Sequence, residues 1–122
     1  REGFRPFAPA ILEEYVGDWF QNPQSSIYME KTLLFKTSKI DVVPGVVHAD
    51  GTGRLQTVSE SSNPRFHQLI NEFYKITKVP ILLNTSLNLN HEPIVDTPLD
   101  AIRTFYSSGL DAIVIENCLV EK

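Results

Sequence analysis

Three clusters of residues in this 122-residue chain have the types and spacing to do chemistry. The chain opens on Arg1-Glu2-Gly3-Phe4-Arg5-Pro6-Phe7-Ala8-Pro9, which carries two guanidinium groups. A second cluster, His48-Ala49-Asp50-Gly51-Thr52-Gly53-Arg54, gathers an imidazole, a carboxylate, a hydroxyl and an arginine around a turn-forming Asp-Gly pair. The third, Asn84-Thr85-Ser86-Leu87-Asn88, sets four hydrogen-bonding side chains within five positions. Arginines, small hydroxyls, amides and backbone N–H groups bared by glycine are the equipment for holding a polyphosphate and a carbonyl. Each cluster also has a plain structural reading, as a basic surface arm, a hairpin turn and an Asx/Ser cap on its own backbone. No carboxylate pair at glycosidase spacing, Walker-type phosphate loop or ordered Ser/His/Asp set is visible. His67 and His91 read as surface or loop residues with no assigned role.

The elements that must position these clusters follow from apolar spacing and punctuation. Val79-Pro80-Ile81-Leu82-Leu83 is too short and too uniformly apolar for a helix, so it predicts a buried strand delivering the Asn84 loop at its carboxyl end. Ligands of open α/β sheets collect at that position. Ile11, Leu12, Tyr15, Val16, Trp19 and Phe20 fall at helical spacing and predict a helix from Pro9 to Asn22-Pro23. Strand is expected over 27–29 and 32–35. Val42 to Ala49 and Arg54 to Val58 are β-rich runs around Asp50-Gly51, predicting a hairpin whose turn is flanked by His48 and Arg54. Asn63-Pro64 caps a helix with an apolar stripe of Phe66, Leu69, Ile70, Phe73 and Ile76. Thr97-Pro98-Leu99-Asp100 opens another helix, with Ala101, Ile102, Phe105 and Tyr106 inward and Gly109 as its stop. Residues 112–120 read as a final strand with Glu116-Asn117 as its break. Two strands joined by one helix are expected to lie parallel, with the hairpin adding an antiparallel pair.

Bulk properties fit one soluble domain over residues 1–122. The chain is 42% hydrophobic, and folding would bury roughly two thirds of its unfolded surface. A net charge of -4 and a pI near 5.3 exclude general nucleic-acid binding, so any anion site must be local. The lone Cys118, set in an apolar run, is expected to be a small buried hydrophobe and is compatible with a reducing cytoplasm. No apolar run has the length of a membrane span. An opening arginine inside a dense Arg/Glu/Phe/Pro cluster reads as part of a longer protein.

Taken in order, Arg1-Glu2-x-Phe4-Arg5-Pro6-Phe7-Ala8-Pro9, His48-x-Asp50-Gly51-Thr52-x-Arg54, Leu83-Asn84-Thr85-Ser86-x-Asn88 and Glu92-Pro93-Ile94-Val95 resemble the C-terminal domain of the NodU/CmcH O-carbamoyltransferases. The resemblance runs over essentially the whole chain, through Pro98-x-Asp100-Ala101 and Gly109-Leu110-Asp111. It implies an α/β, YrdC-like twisted mixed sheet with helices packed on it, present here as a partial domain. It also implies binding of ATP, as its Mg²⁺ complex, and of carbamoyl phosphate, with formation of carbamoyl adenylate. An N-terminal domain with histidine-bound iron would then pass the carbamoyl group to an acceptor hydroxyl.

Residue by residue, the family's Ser-x-Asn signature falls on Ser86 and Asn88. Its Lys-x-Arg signature places the arginine on Arg1 and the lysine two positions upstream. Arg5 and Arg54 match the arginines expected at nucleotide and carbamoyl phosphate, as phosphate clamps. His48 either orients the carbamoyl group or only braces its turn. Asp50, Gly51 and Thr52 shape the turn, and Asn84 and Thr85 join the binding loop. Gly3, Leu87 and Asn90-His91 depart from the family pattern without removing a polar group. The competing reading is a non-catalytic nucleotide-binding or docking module, inert as an isolated fragment. Separately, a truncated pocket with exposed aromatics would favour self-association into a homo-oligomer.

Overall fold

The computed structural model describes residues 7–85, 87 and 93–122. Two compact units divide the chain, one over Glu2–Thr85 and one over Ser86–Lys122. The first unit begins with strand β1 (Ala8–Leu12), which passes through a 3-10 turn, Glu13–Tyr15, into the single-turn helix α1 (Val16–Trp19). Strands β2 (Lys31–Leu34) and β3 (Thr52–Val58), helix α2 (Pro64–Thr77) and strand β4 (Ile81–Asn84) follow. The sheet order is β2-β3-β1-β4, with β1 parallel to β3 and antiparallel to β4, and β2 antiparallel to β3. The class is therefore α/β with a mixed sheet, as the sequence predicts.

Its front half is assembled differently. The helix predicted from Pro9 is in its first part the central strand of the sheet. Ala10, Ile11 and Leu12 are fully buried, and a strand buried on both faces reads as a continuous apolar run that fits a helical period equally well. Pro9, which has no N–H to give, lies one residue before the β1–β3 pairing begins at Ala10↔Gln56.

The hairpin predicted over 42–58 is also corrected. Pro44–Val46 is a 3-10 turn with proline at its start, and β3 pairs instead with β2. The Asp-Gly turn and the strand over Arg54 to Val58 survive from that prediction; the strand before the turn does not. His48 accepts from the Gly51 N–H at 2.9 Å, and its own N–H donates to the Thr52 carbonyl at 2.7 Å. Residues 27–29, expected as strand, form a turn in which Met29 adopts a left-handed φ of 60°.

Alternation along the strands gives the sheet two distinct faces. One carries Ile11, Leu33, Leu55 and Ile81 and packs against Val16, Trp19, Phe20, Phe35 and Val46. Phe20 and Phe35 lie tilted with ring centroids 4.2 Å apart. At the rim of this face Ser26 stands in for the missing end of β2. Its N–H donates to Thr57 Oγ1 at 2.8 Å, and its hydroxyl donates to the Leu55 carbonyl at 2.9 Å.

The opposite face carries Ala8, Ala10, Leu12, Val58, Leu82 and Asn84, and α2 covers only one end of it through Ile70, Phe66 and Tyr74. Asn63 caps α2 by accepting from the Phe66 N–H at 3.3 Å. Of the predicted α2 stripe, Ile70 is buried and Phe66 half-buried, whereas Leu69, Phe73 and Ile76 face outward. Tyr74, stacked on Tyr15 at 4.5 Å, takes the inner place instead.

In the second unit the Val95 N–H donates to the Leu87 carbonyl at 3.0 Å. Helix α3 (Pro98–Tyr106) is capped by Thr97, whose Oγ1 accepts from the Asp100 N–H at 3.0 Å. Ala101, Thr104 and Phe105 are its buried side; Tyr106, expected inward, is exposed. The helix ends at Tyr106, ahead of the predicted Gly109 stop.

The final predicted strand is a hairpin of β5 (Ala112–Ile115) and β6 (Cys118–Glu121), turned at Glu116 with φ 54°. Hence β5 pairs with β6, in place of the expected parallel partnership with β4. Cys118, expected buried, is exposed at the start of β6. No helix among the described residues is long and apolar enough to cross a membrane.

Candidate functional site

The end of the sheet that α2 leaves uncovered is where the polar side chains gather. On β3, alternation sends Arg54 and Gln56 to the α2 side of the sheet and Gly53, Leu55 and Thr57 to the sealed side. Thr32 lies opposite Arg54 on β2, Ala10 opposite Gln56 on β1, and Asn84 opposite Ala8 at the end of β4. Thr32, Arg54, Gln56 and Asn84 therefore share one face, and between them β1 presents only the methyls of Ala8 and Ala10.

Such short side chains leave room for a bond across the whole width of β1. Asn84 Nδ2 donates to Gln56 Oε1 at 2.8 Å. Met29 closes the rim of this shelf, its sulfur 3.6 Å from the same Asn84 nitrogen. Arg54 is exposed and engages no carboxylate among the described residues. A guanidinium with no counter-charge among the described residues, set beside two carboxamides, has the chemistry to receive an anion, with donors and acceptors for a neutral polar group.

The turn before β3 fixes which residues reach that shelf. Asp50 Oδ1 accepts from the Thr52 hydroxyl at 2.6 Å and from the Thr52 N–H at 3.1 Å. The Thr52 hydroxyl, then the Thr52 N–H, hold the Asp50 carboxyl below its ordinary value, and the nearby His48 lowers it further. Gly51 takes φ 85°, a conformation that favours glycine. The structure thus gives Asp50, Gly51 and Thr52 the turn-shaping part expected of them. It gives the His48 backbone a bracing part, with the imidazole half-buried beside them.

Of the sequence-predicted residues, Arg54 and Asn84 come together on the open face, and His48, Asp50, Gly51 and Thr52 form the turn feeding it. Thr85 follows β4 and is exposed. Arg1, Arg5, Ser86 and Asn88 lie outside the described residues. Sequence reasoning missed Gln56, Thr32 and Met29. A signal for Gln56 was present, because it stands two positions from Arg54 in a strand and must share its face.

Elsewhere, a cleft of about 210 Å³ lies between Glu13, Gly17, Gln24 and Ser25 on the far side of β1, and its lining holds no cation. Among the described residues no three His, Cys, Asp or Glu side chains converge in a way that could hold a metal ion. The donor set of the open face suits an anion and an amide.

The family model for the carbamoyltransferase C-terminus matches residues 1–122. The nodulation protein NolNO of Sinorhizobium fredii is 46% identical over the whole chain, which spans 18% of that protein. The nodulation protein NolO of Bradyrhizobium diazoefficiens is 45% identical over the whole chain and 23% of its own length. Nodulation protein U of Rhizobium tropici is 42% identical over 74% of the chain and 16% of its own length. The chain thus spans about a fifth of the length of the curated relatives it matches. With the family model covering every residue and relatives at this identity, the chain belongs to the carbamoyltransferase C-terminus family.

Proposed function

We propose that this chain is the activating part of a carbamoyltransferase, binding ATP and carbamoyl phosphate and forming carbamoyl adenylate. In this reading a carbamate oxygen, freed from carbamoyl phosphate by water with loss of phosphate, attacks the α-phosphorus of ATP. The bond to the bridging oxygen breaks and pyrophosphate leaves. Another part of the longer protein then transfers the carbamoyl group to an acceptor hydroxyl. The observation that carries the reading is Arg54, exposed and without a carboxylate partner among the described residues, on the open sheet face beside Gln56 and Asn84.

Phosphoryl transfer is catalysed chiefly by positioning and by fixed charge that offsets the charge developing in the transition state. Arg54 supplies such a charge from a paired strand, which holds its backbone still. Arg1, Arg5, Ser86 and Asn88, which lie outside the described residues, keep in this proposal the anion-binding roles that the family resemblance implies for them. ATP enters as its magnesium complex, whose metal charge offsets the triphosphate. We place the protein in the cytoplasm, in keeping with the single cysteine of this chain.

The test is carbamoyl-phosphate-dependent exchange of labelled pyrophosphate into ATP by the full-length protein. Arg54→Ala is expected to lower exchange by roughly a hundredfold to a thousandfold, the scale of losing one preorganised charge-stabilising group. Undiminished exchange by that variant overturns the role of the open face. One observation favours a second reading, a docking module: Leu69, Phe73 and Ile76 form an exposed apolar row along α2, with Ile76 84% exposed. A full-length protein that never exchanges pyrophosphate, but comes apart when Ile76 and Leu69 are made polar, would support it.

A further inference from the structure

Resting on the activation reading, we propose that Gln56 and Asn84 form a specificity pair that reads the amide of the carbamoyl group and rejects acyl phosphates lacking it. A carboxamide carries two N–H donors and one acceptor oxygen. The bond from Asn84 Nδ2 to Gln56 Oε1, 2.8 Å long, commits the oxygen of Gln56 and one hydrogen of Asn84. That leaves the Gln56 NH₂ as a donor and the Asn84 oxygen as an acceptor, the two groups belonging to one hydrogen-bonded pair. A carbamoyl group is the complement of such an edge, with a carbonyl that accepts and an NH₂ that donates.

The setting makes the pair more than a stray surface bond. Both residues are half-buried, and they bridge β3 and β4 across β1, a span of about 10 Å between backbones. The bridge is possible because Ala8 and Ala10 leave the intervening strand bare. Each amide fixes the other's orientation, and the sulfur of Met29, 3.6 Å from Asn84 Nδ2, backs the same hydrogen-bonding group.

Position favours the carbamoyl group over the adenine ring, whose edge offers a similar donor and acceptor. Gln56 lies two residues from Arg54 on one strand, about 7 Å along it. An amide held at Gln56 is therefore within one small molecule's length of an anion held at Arg54. In carbamoyl phosphate the amide and the phosphate are directly joined, whereas in ATP a ribose separates the base from the phosphates.

The experiment compares carbamoyl phosphate with acetyl phosphate, which has a methyl in place of the NH₂, in pyrophosphate exchange by the full-length protein. The unmodified protein is expected to prefer carbamoyl phosphate. Gln56→Met, which keeps the length but removes both polar atoms, should cut that preference by roughly tenfold to a hundredfold through KM for the acyl phosphate. The KM for ATP and the preference for ATP over GTP should stay unchanged. Gln56→Glu retains an oxygen for Asn84 but removes the NH₂ that reads the carbonyl, so it should keep the pair's bond and still lose preference, a loss that a purely structural role would not show.

Exchange that retains full preference in Gln56→Met overturns the pair while leaving the activation reading intact. So does a loss of ATP-over-GTP preference, which would assign the pair to the base. Absence of exchange in the unmodified protein overturns both.

Discussion

The two faces of the four-stranded sheet are built from alternate residues of the same strands, yet one is finished and the other is half open. On the sealed side Phe20, Phe35, Trp19 and Val46 fill the space over Ile11, Leu33, Leu55 and Ile81. On the other side α2 covers Ala10, Leu12 and Val58 and stops, so that Ala8, Arg54, Gln56 and Asn84 form an end that this helix does not reach. A strand such as β3 can serve both because its side-chain period is two: Gly53, Leu55 and Thr57 go to the core while Arg54 and Gln56 go to the shelf. The core face supplies the stability that lets the other face keep a charged, sparsely covered surface. Stability and chemistry should therefore respond to different substitutions one residue apart.

The largest expected separation comes from Phe35, which is 1% exposed and stacked on Phe20. Phe35→Ala should cost about 3–5 kcal/mol. The cost should be read as lost hydrogen-exchange protection of the β1 and β3 amides in the full-length protein. Arg54→Ala, on the other face of the neighbouring strand, should leave that protection within about 0.5 kcal/mol while removing most pyrophosphate exchange. Equal effects of both substitutions on both readouts would erase the distinction between the faces.

A smaller effect sharpens it. A Cβ added at Gly53 would come 2.5 Å from Phe35 Cε2 and 3.3 Å from the Val46 carbonyl oxygen. Gly53→Ala should therefore destabilise by about 1–3 kcal/mol through overpacking, although it lies next to Arg54 in sequence. An unchanged exchange profile for this variant would mean that the sealed face is looser than its packing indicates.

How much of this was legible beforehand differs along the chain for physical reasons. α2 and α3 were readable because Asn63-Pro64 and Thr97-Pro98 announce helix starts, and both caps form as bonds. β4 was readable because a proline precedes a run too short to be a helix. Ala8 to Leu12 was not. Buried on both faces in the middle of the sheet, it carries no alternation, and its apolar residues join those of α1 in a false helical period.

The long-range pairing of β1 with β3 and β4 then decides which polar residues meet, and nothing local encodes it. Arg54 and Asn84 could be chosen by residue type. That Gln56 would reach Asn84 depends on two alanines in a strand read as a helix. The exposed row on α2 shows the same limit, since five apolar positions at helical spacing do not reveal which of them meet the sheet.

At the edge of the open face, the cap of α2 offers a weaker perturbation. Asn63→Ala removes the acceptor for the Phe66 N–H and should cost about 1 kcal/mol. The loss should appear as fraying of the first turn of α2 by hydrogen exchange. The shelf is held by strands and not by this helix, so exchange of pyrophosphate should be little altered. A large loss of exchange would show that α2 does more than cover the far end.

The smallest expected effect concerns the turn that assigns residues to the two faces. A shift of one residue at the start of β3 would send Arg54 and Gln56 into the core and Leu55 out, so the turn must hold the register. Asp50 does this through Thr52, whose hydroxyl and N–H both donate to its Oδ1. Those bonds favour the carboxylate, and the folded Asp50 accordingly titrates below its ordinary value, whereas the unfolded Asp50 titrates at it. The protonated form is therefore relatively disfavoured by folding. The turn's contribution is complete above the ordinary aspartate value and is lost as pH falls through the lower, folded value.

Thr52→Val keeps a β-branched side chain suited to the strand but removes the hydroxyl, the largest cause of the shift. The Asp50 titration, followed by carboxyl carbon resonances, should move up toward the ordinary value, and the acid loss of β3 amide protection should begin at correspondingly higher pH. A midpoint that does not move would mean that something other than Thr52 holds the carboxylate, and with it the register separating the two faces.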